Sequence, residues 1–138
     1  MTKVSLRQAI GFHGHLGPWL VLGLLIGELS LKKLGAKKYF GLKVVVRGAN
    51  KKPRSCLIDG LQLSTGATYG KANIRKGEGK TIMVVAENKE NKKRISVCLK
   101  KGLTRRLAAL KGHSDSEAFA RQLYKAKAEN IFDLSTEN

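Results

Sequence analysis

The sequence predicts a single α+β domain, and three observations carry that expectation. A stretch after Pro18 is apolar on nearly every side, several short runs are β-branched and of strand length, and the element order lacks regular βαβ alternation. From Trp19 onward, Leu20, Val21, Leu22, Leu24, Leu25, Ile26, Leu29, Leu31 and Leu34 precede Gly35, a residue suited to stopping a helix. A buried helix is expected over about 15–34, with Pro18 in its first turn, where a missing N–H costs nothing. A helix apolar all round needs cover all round, from a sheet or from a second copy of the chain. Leu42, Val44, Val45 and Val46, closed by Gly48, read as a strand. Leu57, Ile58, Leu61 and Leu63 fit a second, short helix that gives way to a glycine-rich loop near Gly66–Gly70. The stretches 81–86 and 94–99, joined by a polar turn, predict an antiparallel hairpin with Ile95, Val97 and Leu99 on one face. Cys98 lies on the other face and is expected to be a small core residue of that hairpin. Leu103, Leu107 and Leu110 have helical spacing, and Ser114 to Glu117 reads as a capping box for a last helix carrying Phe119 and Leu123.

At 138 residues the chain suits one domain, 1–138, able to fold without disulfides or a structural metal. Two cysteines are too few for a secreted disulfide framework, and the apolar run 16–27 is too short to span a bilayer. The first residues show no signal-peptide pattern, so a cytoplasmic protein is expected. The formal charge of +17 points to nucleic acid, an anionic surface or an acidic partner. Its excess is spread along the chain (+7 over 1–50, +8 over 51–100, +2 over 101–138), and the few aromatics are not interleaved with the basic residues. A basic nucleic-acid-binding protein with a degenerate metal site is therefore the alternative reading, not the first.

Two segments carry coordinating residues. In Gly11–Pro18 two histidines separated by one glycine, His13 and His15, can turn both imidazoles toward one point at a helix start. The bland alternative is that one histidine caps the helix and the other is solvated. In Cys56–Gln62 a thiol and a carboxylate, Cys56 and Asp59, stand three residues apart on one helical face, with Gln62, Lys71 and Asn73 following. A lone C-x-x-D equally suits a buried thiol and a capping acid. Together the four groups could bind zinc with one position open. Other templates fail: Gly79-Lys80-Thr81 lacks the glycine a P-loop requires at Ile74, and no Rossmann, nucleophile-elbow, C-x-x-C or H-E-x-x-H pattern is present.

The phrases GFHGHLGPWLVLGLLIGELSLKKLG and CLIDGLQLSTGATYGKANI resemble the paired signatures of the FmdE family, named for a component of formylmethanofuran dehydrogenase, over roughly residues 5–130. The resemblance implies an α+β domain with a mixed sheet, a homodimer, and a metal, zinc, held by His13, His15 and Cys56. It places Asp59, Gln62, Lys71 and Asn73 as polar residues around a ligand. It also implies a molybdenum or tungsten enzyme as partner, or a small enzyme of its own. Members frequently carry cysteine where this chain has Gly17 and Ala67, and longer members add a C-terminal zinc ribbon. The expectation is that His13, His15 and Cys56 converge beside Asp59 and near Lys71.

Overall fold

The computed structural model describes residues 3–137. The elements run α1 (Leu6–His13), α2 (Pro18–Leu34), β1 (Leu42–Arg47), α3 (Cys56–Thr65), β2 (Ile74–Gly77), β3 (Met83–Asn88), β4 (Arg94–Leu99), α4 (Lys101–Ala108), α5 (Gly112–Tyr124), α6 (Ala128–Ile131) and β5 (Phe132–Glu137). The strands form one sheet in the order β2-β1-β3-β4-β5. β1 and β2 are parallel and the other three pairs antiparallel, so the sheet is mixed and the fold is α+β.

The long helix begins where proline tolerates a lost donor, with Gly17 as N-cap, and ends at Gly35 in the left-handed region (φ 58°). Leu20, Val21, Leu22, Leu24 and Ile26 have no solvent exposure and Leu25 is half-buried. Their cover comes from the same chain, since α2 packs on α3, α5, β3 and β4. Burial of this helix therefore needs no second copy. β1 turns Leu42, Val44 and Val46 toward the core while Lys43 and Arg47 face water. The expected hairpin is present as β3 and β4.

α2 and α3 approach backbone to backbone. A Cβ at Gly23 would overlap the Leu57 carbonyl, and one at Gly60 the Leu20 carbonyl. Ser64 fits the same seam, its Oγ donating to the carbonyls of Gly23 (3.1 Å) and Gly60 (2.8 Å). This contact fixes where the first residues of α3 lie relative to the turn before α2.

Several elements differ from the sequence reading. α1 is an added helix, capped by Ser5, whose Oγ accepts from the Gln8 N–H while the Gln8 side chain accepts from the Ser5 N–H. β2 and β5 are added edge strands with one core residue each, Ile74 and Phe132. The expected capping box at Ser114 is not one: α5 already starts at Gly112, and Asp115 accepts from the Lys111 N–H instead. Cys98 is half-buried and lines a surface cleft, because the sheet face it occupies is not the one packed on α2. No helix among the described residues is long and apolar enough to cross a membrane.

Candidate metal centre

α1 ends at His13, and Gly14 breaks it in the left-handed region (φ 104°), a conformation that favours glycine. The chain then turns through His15 to the proline that opens α2, and the two imidazoles face each other with centroids 4.8 Å apart, tilted by 52°. The glycine seam between α2 and α3 brings Cys56, the first residue of α3, to this turn. One ligand atom from each of His13, His15 and Cys56 lies within 4.8 Å of the others. Donors around a tetrahedral zinc stand about 3.3–3.8 Å apart, so closing on an ion needs an inward movement of about 1 Å. His15 is exposed, and its side chain is the one free to make that movement.

Asp59 lies one turn beyond Cys56 on α3, and its Oδ2 is 2.6 Å from His13 Nδ1. A carboxylate accepts, so this contact assigns a proton to Nδ1, and in the neutral imidazole the lone pair then sits on Nε2. His13 Nε2 is buried and has no hydrogen-bond partner. A buried imidazole nitrogen without a partner, oriented by a carboxylate on its other side, is the arrangement of a metal-ligating histidine. Burial pushes the Cys56 thiol above its ordinary value, Asp59 adds to the rise, and Lys52 opposes it. Zinc binds the thiolate, so a divalent cation held here would reverse that rise. The nitrogen and sulfur donors fit zinc, while calcium and magnesium require oxygen.

The cluster opens into a cleft of about 380 Å³ whose walls include Pro18, Trp19, Lys52, Leu107, Leu110 and His113. His113, the second residue of α5, carries no signal in the sequence, because nothing in its polar neighbourhood distinguishes it from a solvated side chain. The remaining expected residues gather elsewhere, around the C-terminal end of α3. Gln62 Oε1 accepts from the Tyr69 N–H (3.2 Å), and Asn73 joins the Thr68 N–H (2.8 Å) to the Tyr39 carbonyl (3.0 Å). Lys71 Nζ lies over the Tyr39 and Phe40 rings, 5.8 and 5.3 Å from their centroids. None of the three lines the metal-centre cleft. Of the two positions at which the resemblance leads to an expectation of cysteine, Gly17 and Ala67, Ala67 is fully buried. Gly17 abuts the site: a Cβ there would lie 3.3 Å from His15 Cε1 and 3.7 Å from its Nδ1.

The sequence model of the FmdE family, described as molybdenum formylmethanofuran dehydrogenase operon, matches residues 12–138. A curated protein of Archaeoglobus fulgidus, described as a probable S-adenosyl-L-methionine-binding protein, is 31% identical over 97 residues. The match takes in 65% of this chain and 25% of that protein, so the chain spans about a quarter of the length of this relative. The crystal structure of a tungsten formylmethanofuran dehydrogenase FmdE-like protein from Syntrophus aciditrophicus superposes with a TM-score of 0.70 at 20% identity. The superposition covers the whole of this chain and 77% of that one, and it shows the shared fold. Since the family's match begins one residue before the first histidine of the turn and runs through every strand of the sheet, the chain belongs to the FmdE family.

Proposed function

We propose that the protein binds zinc through His13, His15 and Cys56, with a fourth position left open to a small ligand in the adjoining cleft, and that it serves as an accessory to a molybdenum or tungsten enzyme. Two observations carry the metal reading: His13 Nε2 is buried without a partner, and His13, His15 and Cys56 bring one ligand atom each together. Asp59 supports it by holding the His13 ring in the tautomer that coordinates. Zinc held this way supplies Lewis-acid polarisation to whatever occupies the open position. The chain's own groups set the rest: Pro18, Leu107 and Leu110 limit water, and Lys52 adds positive charge at the rim. The family's description by a molybdenum enzyme operon supports the accessory role. Gln62, Lys71 and Asn73 act on this reading as supports of the loop after α3.

Metal analysis of protein purified without a histidine tag tests it. The wild type is expected to carry about one zinc per chain, and Cys56→Ser and His15→Ala each to lose most of it while keeping wild-type circular dichroism. Metal content near background in the wild type, or unchanged in both variants, overturns the reading. Affinity capture of the wild-type protein against Cys56→Ser, read for molybdenum and tungsten in the co-purifying material, tests the accessory role. Nucleic acid in place of those metals would favour the alternative that the +17 charge suggests.

A further inference from the structure

Trp19 lines two clefts. One is the metal centre's, and the other, of about 460 Å³, lies between the end of β4, the connection before β3 and α4. Trp19, Ile82 and Leu99 give this second cleft its apolar wall, and Arg54, Lys101 and Arg105 reach it from two elements. Lys101 and Arg105 are four residues apart on α4 and so share one helix face. Arg54 is pinned at the opposite rim by a bond from its Nη1 to the Lys80 carbonyl (2.9 Å), which leaves most of its N–H fork unused. The loop that carries it also carries Lys52 and Pro53 of the metal cleft.

None of these three cations has an acidic partner among the described residues, whose ion pairs are those of His13, Arg94 and Arg121. Asp133, which also lines the cleft, pairs with none of the three. Three like charges around one apolar-walled cleft repel one another, and an anion that pairs with them relieves that repulsion. Lys71, expected from sequence near the metal centre, lies instead over two aromatic rings beyond α3.

We infer that Arg54, Lys101 and Arg105 bind the acidic group of an organic anion, a carboxylate or a phosphate monoester on a flat apolar body that packs against Trp19. The guanidinium forks fit either oxyanion in bidentate fashion, and the indole fits the body by stacking. The two clefts share Trp19, and the anion site does not rest on the zinc reading above.

Trp19 is the sole tryptophan, so its fluorescence reports on the cleft directly. The full chain is titrated with phenyl phosphate, with phenylacetate and with uncharged benzyl alcohol, at about 0.15 M salt, where diffuse charge attraction is screened. Saturable binding of at least one anion and none of the alcohol is expected, and the stronger anion identifies the acidic group. Arg105→Ala and Arg54→Ala are each expected to raise Kd about tenfold, the scale of one charge-assisted bond. Arg121→Ala, whose guanidinium pairs with Glu117 on α5, leaves Kd unchanged. Absence of saturable binding by either anion overturns the inference, and so does an equal weakening by Arg121→Ala. In His15→Ala the anion affinity is expected to persist while zinc is lost. Zinc retention without anion binding defeats this inference alone, and Arg105-dependent binding in a protein that never takes up zinc defeats the metal reading alone.

Discussion

Replacing Gly60 by alanine is expected to destabilise the protein by about 2–5 kcal/mol, although the same change in an open helix stabilises. A Cβ at this position would stand 2.8 Å from the Leu24 nitrogen and 2.9 Å from Gly23 Cα, and closer still to the Leu20 carbonyl. These are backbone atoms, which cannot rotate away. Restoring 3.4 Å at the Leu24 nitrogen alone moves the helices apart by about 0.6 Å, and the closer Leu20 carbonyl makes that a lower bound. A gap of that size forfeits about a quarter of the dispersion attraction across the seam, where Leu20, Leu24, Leu57 and Leu61 are fully buried and each contributes about 1.5–3 kcal/mol. Residual strain of about 1–3 kcal/mol adds to that loss, and the helix propensity of alanine returns about 1 kcal/mol. For a chain of this length the net effect lowers Tm by about 6–25 °C. Thermal and urea unfolding followed by circular dichroism measure it. Gly102→Ala in α4 is the matched control: its Cβ meets nothing within 4 Å, and stability should rise by about 0.5–1 kcal/mol. A Gly60→Ala protein as stable as wild type would refute the backbone-contact account of the seam.

Two further outcomes follow from the side chains. Asp59→Asn keeps the volume but weakens the acceptor that orients His13, so zinc affinity should fall about 10–100-fold with unfolding unchanged; competition with a chromogenic chelator measures it, and an unchanged affinity would show that His13 needs no such partner. Burial pushes the Glu28 carboxyl above its ordinary value, against the pull of Lys3 and Lys38. Between pH 4.5 and that raised value the folded state holds a proton that the unfolded chain has released, so stability falls as pH rises through this window. Glu28→Gln should therefore have a higher urea midpoint than wild type at pH 7, with the gap closing below pH 4.5; a constant gap would remove the carboxyl as its cause.

The readable parts of the fold are those whose residues meet the core. α2, β1, α3 and the β3–β4 hairpin each carry several buried apolar side chains at the period of their element, and each stands close to its expected place. The edge strands β2 and β5 are polar because one side of an edge strand faces water, and Ile74 or Phe132 alone gives no period. α1 buries only Ala9, and its signal lies in the Ser5-to-Gln8 capping box, which the histidine-rich turn beyond it overshadows. In the candidate site, the pairing of His13 and His15 with Cys56 and Asp59 is legible from spacing and family signature together. His113, Arg54 and Arg105 are not, because tertiary packing brings them to the clefts and leaves no local pattern.

The contact between His13 and Asp59 spans 46 positions of sequence and encloses all of β1. A loop of that length closes only once α2 and α3 have docked along their glycine seam, so the histidine–carboxylate pair belongs to a late stage of assembly. Whatever occupies the centre therefore grips the docked chain and not the unfolded one. Its effect is expected to fall on the rate of unfolding more than on the rate of folding, making occupancy a device for persistence in the folded state.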